Sequence, residues 1–314
     1  MTAFLDYRIL ETPRTFTPLG LRFWDTATGS AVAGGLSVTA WRPDAPYPPV
    51  HAVRTLSGAY ALSELPGLRA LERPRVAGSG GPGGADEAPP AALDFVLTVE
   101  DRAGRFLPEV FSVTLPLPYR GLFLSAGAGS VPRAARAYLF SAPTRPVPPA
   151  LAAVRADLLD ASSGQPAAYA AVEVAVAGAV HSGIADERGR VLVAFPYPPV
   201  ERLRLGSPPG AGQGDVTGQT WPATVRVRWS PAPLARHPAD LAGVPAALRR
   251  LPGLKAILTE QAPAYLIGAE GAAPLSEWTV ELGFGRELLL ATALPGGAEG
   301  RHPELWILSG SSTP

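Results

Sequence analysis

The feature that most limits what this chain can fold into is a turn phrase written twice. Leu21-Arg-Phe-Trp-Asp25-Thr-Ala-Thr-Gly29 precedes the alternating run Leu36-Ser-Val38-Thr-Ala-Trp41, and Val154-Arg-Ala-Asp-Leu-Leu-Asp160-Ala-Ser-Ser-Gly164 precedes Val172-Glu-Val174-Ala-Val176. Each copy reads as strand, Asp-x-x-Ser/Thr-Gly, strand. Aspartate opens such a turn because its carboxylate accepts from backbone N–H groups two residues on, and glycine closes it because it tolerates positive φ. The flanking period-2 alternation is that of half-buried strands. A second phrase, Asp-x-x-Gly-Arg, occurs at Asp101–Arg105 and Asp186–Arg190 beside the apolar runs Phe95–Val99 and Val191–Phe195. It predicts hairpins with a type I turn and a glycine bulge. The predicted turn formers are therefore Asp25, Gly29, Asp101, Gly104, Asp160, Gly164, Asp186 and Gly189.

Prolines punctuate the rest, because proline cannot donate to a sheet ladder. Leu117-Pro-Tyr119, Phe195-Pro-Tyr197-Pro and the matching Tyr47-Pro-Pro-Val50 and Tyr197-Pro-Pro-Val200 end strands or sit on edges. Ala142-Pro-Thr-Arg-Pro-Val-Pro-Pro149 reads as a stiff extended linker. Three regions follow: a β domain over 1–145 with a Gly/Pro-rich insertion near 77–92, a second β domain over 146–234 interrupted at 206–218, and a C-terminal region over 235–314. The last is expected to hold a short helix within Ala239–Leu251, a hairpin of Glu277–Leu282 with Glu287–Thr292 around Gly283-Phe-Gly285, and a strand at Glu304–Leu308. The expected class is all-β, tandem sandwiches with a small C-terminal β-rich region.

Composition closes off many functions. The formal net charge is +0 and charged residues make up 17% of 314, which leaves no electrostatic footprint for nucleic acid or an anionic membrane surface. There is no cysteine, so disulfides, thiolate metal sites and thiol catalysis are out, and the only lysine is Lys255. Met1–Arg8 has no basic n-region or apolar core, so no signal peptide and a cytoplasmic location are expected. No apolar run is long enough for a membrane span.

The chemistry-bearing residues form no catalytic pattern. His51, His181, His237 and His302 lack compact ligand spacing, although His51 and His181 fall in equivalent places of the repeat. Gly78-Ser-Gly80-Gly-Pro-Gly83 satisfies Gly-x-Gly-x-x-Gly but runs into an acidic, proline-rich stretch, where a pyrophosphate loop needs a helix N-terminus. There is no P-loop, no Gly-x-Ser-x-Gly elbow, and adjacent Asp186 and Glu187 on one turn would point apart. The aspartates read as turn formers, with calcium between facing turns as the alternative. Trp24, Trp41, Trp221, Trp229, Trp278 and Trp306 read as core or interface packing, the alternative being a row of rings that stacks sugars. Arg226-x-Arg228 marks one polar strand face. No catalytic residue, cofactor or metal, and no small-molecule substrate, is expected.

Asp160-Ala-Ser-Ser-Gly164-Gln-Pro166 followed by Gly183-Ile-Ala-Asp186-Glu-Arg-Gly189-Arg-Val191 resembles the carboxypeptidase-regulatory-like domains, which are transthyretin-like. The copy at Asp25–Gly29 is looser: proline is missing after the glycine, and Ser57-Gly-Ala-Tyr60 stands in for the second phrase. The resemblance implies Ig-like sandwiches used as spacers or docking modules. Leu117-Pro-Tyr119-Arg-Gly-Leu-Phe123 and Asp186–Val191 also resemble accessory structural subunits of phage-tail-like contractile injection systems. That implies a non-catalytic docking subunit of a cytoplasmically assembled particle, with other protein subunits as partners. The alternative is a carbohydrate- or cell-surface-binding module.

Overall fold

A computed structural model describes residues 17–44, 47–72, 92–115, 137–199, 218–236, 245–294 and 301–310. The insertion near 77–92 (except Ala92), Gly78–Gly83, Leu117–Phe123, most of the 206–218 loop, His237 and the first part of Ala239–Leu251 lie outside these residues.

The chain is all-β in character. In its N-terminal half β1 (Leu19–Leu21), β2 (Phe23–Asp25), β3 (Leu36–Trp41), β4 (Val50–His51), β5 (Val53–Arg54), β6 (Tyr60–Leu62), β7 (Leu93–Asp101), β8 (Glu109–Leu115) and β9 (Ala137–Leu139) form a β4-β3-β7-β8 sheet, a β1-β6-β5 sheet and a parallel β2–β9 pair. Leu36, Val38 and Ala40 alternate inward from β3 and meet Leu19, Leu21, Tyr60 and Leu62 from the other sheet in one core. The two sheets thus bury their apolar faces on each other.

The C-terminal half holds β10 (Leu151–Asp160), β11 (Ala171–Val176), β12 (Ala179–Ile184), β13 (Arg190–Pro196), β14 (Thr220–Arg228), α1 (Ala246–Arg249), α2 (Leu254–Thr259), β15 (Pro263–Ile267), β16 (Trp278–Gly283), β17 (Leu288–Leu290) and β18 (Leu305–Ser309). Its sheet runs β12-β11-β14-β15-β18-β10-β13. One core takes Val154, Val172, Val193, Phe195, Val225, Leu266, Leu282, Leu290 and Ile307.

Pairing repeats between the halves. β1 pairs antiparallel with β6 while β2, just after it, runs parallel to β9. Likewise Leu151–Asp157 of β10 pairs antiparallel with β13, and Leu158–Asp160 runs parallel to β18. β3 lies between β4 and β7 as β11 lies between β12 and β14.

Three sequence expectations differ from what forms. The expected hairpin of the C-terminal region is absent: β16 pairs with β14, whereas β17 runs parallel to β10. Phe284 packs against Tyr197 and Trp221, and Tyr197 accepts the Gly285 N–H, so the chain between the strands is drawn across from one ladder to the other. The C-terminal strands therefore build onto the sheet begun at β10 instead of standing apart from it. The Asp186–Arg190 turn is likewise not a hairpin, because β13 pairs with β10 and not with β12. Of the expected helix, Ala246–Arg249 is helical, and α2 adds a turn that the sequence pattern did not mark.

Candidate functional site

The four aspartate turns fall into two matched pairs. Asp25 Oδ1 accepts from the Ala27 N–H at 2.8 Å, its Oδ2 from the Thr28 hydroxyl at 3.2 Å, and Gly29 donates to the Asp25 carbonyl at 2.8 Å. Asp160 accepts from the N–H groups of Ser162 at 3.2 Å and Ser163 at 3.1 Å, and Gly164 donates to its carbonyl at 2.8 Å. In the other pair, Asp101 takes the Arg105 N–H at 2.6 Å and its guanidinium, as Asp186 takes the Arg190 N–H at 3.0 Å and its guanidinium. The closing glycines have φ of 65° at Gly29, 66° at Gly164, 65° at Gly104 and 78° at Gly189. At Gly189 a Cβ would also lie 2.3 Å from the Leu158 carbonyl oxygen. Every one of these carboxylates is occupied by N–H or guanidinium donors, so a cation between turns would have to displace them. No group of three or more His, Asp or Glu is placed to hold a metal among the described residues.

One turn does more than reverse the chain. Arg145, in the proline-rich segment between the halves, clasps Asp25 with its two terminal guanidinium nitrogens, at 2.9 Å and 2.6 Å, and donates to Ser141 Oγ at 2.9 Å. The pair is nearly buried. Burial pushes the Asp25 carboxyl up, but the Arg145, Ala27 and Thr28 donors outweigh it and hold the group below its ordinary range. Arg145 and Arg105 both lie over the Phe106 ring, 5.0 Å and 5.2 Å from its centroid. From the other side Arg155 of β10 donates to the carbonyls of Pro143 and Arg145 and to Glu287.

Two apolar seams flank this clasp. Ala27, in the Asp25 turn, is buried against Ala153, Leu192 and Ala194 on the outer face of the β10–β13 ladder, with Val147 and Leu151 beside them. Phe140 is buried with Ile184 and Ile257, against Leu107, Tyr169 and Leu258. Gln261 ties the second seam by donating to the Tyr169 carbonyl at 2.6 Å. A third patch, Leu248 of α1 against Trp41, Val96 and Val110, puts the helical segment on the outer face of the β3–β7–β8 sheet. The joint between the halves is therefore clamped from several directions. Sequence reasoning read 142–149 as a linker but missed the clasp, since nothing local pairs Arg145 with a residue 120 positions away.

The remaining candidates separate. His51 and His181 stand on corresponding strands, opposite Thr39 and Val174, but face opposite sides. His51 Nδ1 bonds the outward Thr39 hydroxyl at 3.1 Å, whereas His181 points inward and stacks on Phe195 at 4.2 Å. Burial pushes the His181 pKa below its ordinary value. His302 contacts Glu270 at 3.1 Å and the Trp306 ring. The tryptophans do not line up as a row. Trp41 is buried and donates to Thr98, Trp229 is buried, and Trp278 packs against the C-terminal core. Trp24 and Trp306 are half-buried. Trp221 sits with Tyr197 and Phe284, their rings mutually tilted at 33° to 57° and so offering no flat platform. Arg226 pairs with Glu277 on the exposed face.

No helix among the described residues is long and apolar enough to cross a membrane. No family model matches the chain, and no curated protein does. Two crystal structures of the shaft pilin spaA from Lactobacillus rhamnosus GG, both of single-residue variants, align at 10% identity. They cover 94% and 96% of this chain and 99% and 100% of theirs, with TM-scores of 0.20 and 0.21. A likeness of that size carries no argument about fold or function.

Proposed function

We propose that the chain is a non-catalytic structural or docking subunit, two Ig-like sandwiches in tandem held as one rigid spacer. The observation that carries this reading is the clamped joint: a nearly buried bidentate Arg145–Asp25 pair, two apolar seams and Arg155 gripping the linker carbonyls. A linker that let each half act as an independent binding module would leave such groups in water. The carboxylates of the four aspartate turns are consumed in building them, which supports a structural use of these residues. The larger assembly we have in mind is a phage-tail-like particle put together in the cytoplasm, for which the support is the phrases Leu117–Phe123 and Asp186–Val191.

Gradient sedimentation of native lysate tests the reading. The protein should co-migrate with a large particle whose other subunits include sheath or tube proteins. Migration as a free chain, together with clear binding on a glycan array, would replace the structural assignment by the carbohydrate-binding one.

A further inference from the structure

We propose that the exposed edge of β12 is a self-association site, pairing antiparallel with β12 of a second copy about a dyad at His181. β11 and β12 are joined by a two-residue turn, Ala177 and Gly178, with φ of 48° and 81°. In such a hairpin the pair closing the turn, Val176 and Ala179, is the hydrogen-bonded one, and bonded and non-bonded pairs then alternate. The main-chain groups of Ala179, His181 and Gly183 therefore face β11, and those of Val180 and Ser182 face away, toward an edge to which no described strand is hydrogen-bonded, β13 meeting β12 at Gly183 and under the His181 ring.

The edge has a defined length. At Gly183 the strand presses onto β13, where a Cβ would lie 2.9 Å from the Leu192 carbonyl oxygen, so a partner strand has only Ala179–Ser182 to pair with. This stretch carries neither proline nor a charged side chain, the usual devices that keep an edge from pairing. Its counterpart in the other half, Val50–Arg54, is preceded by Pro48 and Pro49 and ends in Arg54. Val180 is 62% exposed, one of few large apolar side chains left in solvent among the described residues.

A second copy suits this edge better than a foreign segment. Self-pairing sets each residue against its own chain, so a charged edge would repel itself, and Ala179–Ser182 carries no Asp, Glu, Lys or Arg. With His181 opposite its mate, Val180 lies opposite Ser182 of the second copy and each pair exchanges both its bonds, about four in all. That register uses every outward donor and acceptor of the stretch. An isologous contact of this kind closes at two copies.

Analytical sedimentation of the full chain across the micromolar range tests the proposal, with hydrogen exchange at the Val180 and Ser182 amides as the local readout. The expected result is a monomer–dimer equilibrium in which both amides become protected as concentration rises. Ser182→Pro removes the outward N–H without taking a bond from the β11 ladder, the edge position at which proline is tolerated, and should weaken the dimer at least ~10-fold with little change in melting temperature. Should that variant fail to fold, Val180→Lys makes the same test with a charge. A monomer at every concentration, a dimer that survives both variants, or an open series of larger species would each overturn the proposal.

Discussion

Glu109 gives the sharpest test of how the N-terminal half is packed. It stands on β8 opposite Val99, is 6% exposed, and accepts a bond from the Phe140 N–H at 3.3 Å. With no cation beside it among the described residues, burial pushes its pKa from 4.5 up to about 8, and the Phe140 backbone donor lowers it only in part. The folded protein keeps this proton up to about 8, whereas the unfolded chain releases it near 4.5, so stability is full below the lower value. It falls as pH rises across that interval and levels off above it. At 1.36 kcal/mol per pH unit the whole span is worth on the order of 5 kcal/mol, a large share of the ~5–15 kcal/mol that holds a typical domain. Glu109→Gln removes the ionisation and keeps the acceptor, at a cost of about 1–3 kcal/mol for its buried amide donors. Urea unfolding of both proteins from pH 5 to pH 9 should give profiles that cross: the wild type more stable at the acid end, the glutamine variant at the alkaline end. Parallel profiles would refute the assignment of Glu109 as a buried neutral acid.

Other perturbations follow from the turns and the clasp. Arg145→Ala leaves Asp25 nearly buried without its counter-ion and should cost about 3–5 kcal/mol in chemical denaturation, with new protease cleavage inside 142–149. Gly164→Ala meets open space at positive φ and should cost about 1–2 kcal/mol. Gly189→Ala adds a clash with the Leu158 carbonyl and should lower the melting temperature distinctly more. Asp25 and Asp101 both sit below their ordinary 3.8, so the stability they contribute is present above that value and lost as pH falls through their folded values. Arg105→Ala should therefore raise the midpoint of acid unfolding followed by circular dichroism. Adding calcium or a chelator should leave the melting temperature unchanged, because the turn carboxylates are already occupied by protein donors.

What the sequence makes legible is local. A carboxylate two residues before a backbone N–H, with a glycine at the αL position, is a short-range device, and the Asp25, Asp101, Asp160 and Asp186 phrases spell it out in adjacent letters. The alternation in Leu36–Trp41 and Val172–Val176 likewise shows which side chains turn inward. Which strand a strand meets is not local. Glu277–Leu282 and Glu287–Thr292 carry the marks of a hairpin, yet Phe284 sends them to different ladders by packing on Tyr197 and Trp221. His51 and His181 occupy matching strands but opposite faces, since His51 is paired with the outward Thr39 and His181 with the inward Val174, and opposite residues share a face. The joint was illegible for the same reason: Arg145, Asp25 and Arg155 come together only after both halves have folded.

The contacts at the joint predict that the two halves move as one body. The chain has no cysteine, so Ser57→Cys in one half and Ser276→Cys in the other, both exposed, give clean sites for paired spin labels. Distances measured by double electron–electron resonance should form one narrow distribution in the otherwise unaltered protein and broaden when Arg145→Ala is added. A broad distribution before that substitution, or a narrow one indifferent to it, would contradict the clamped joint.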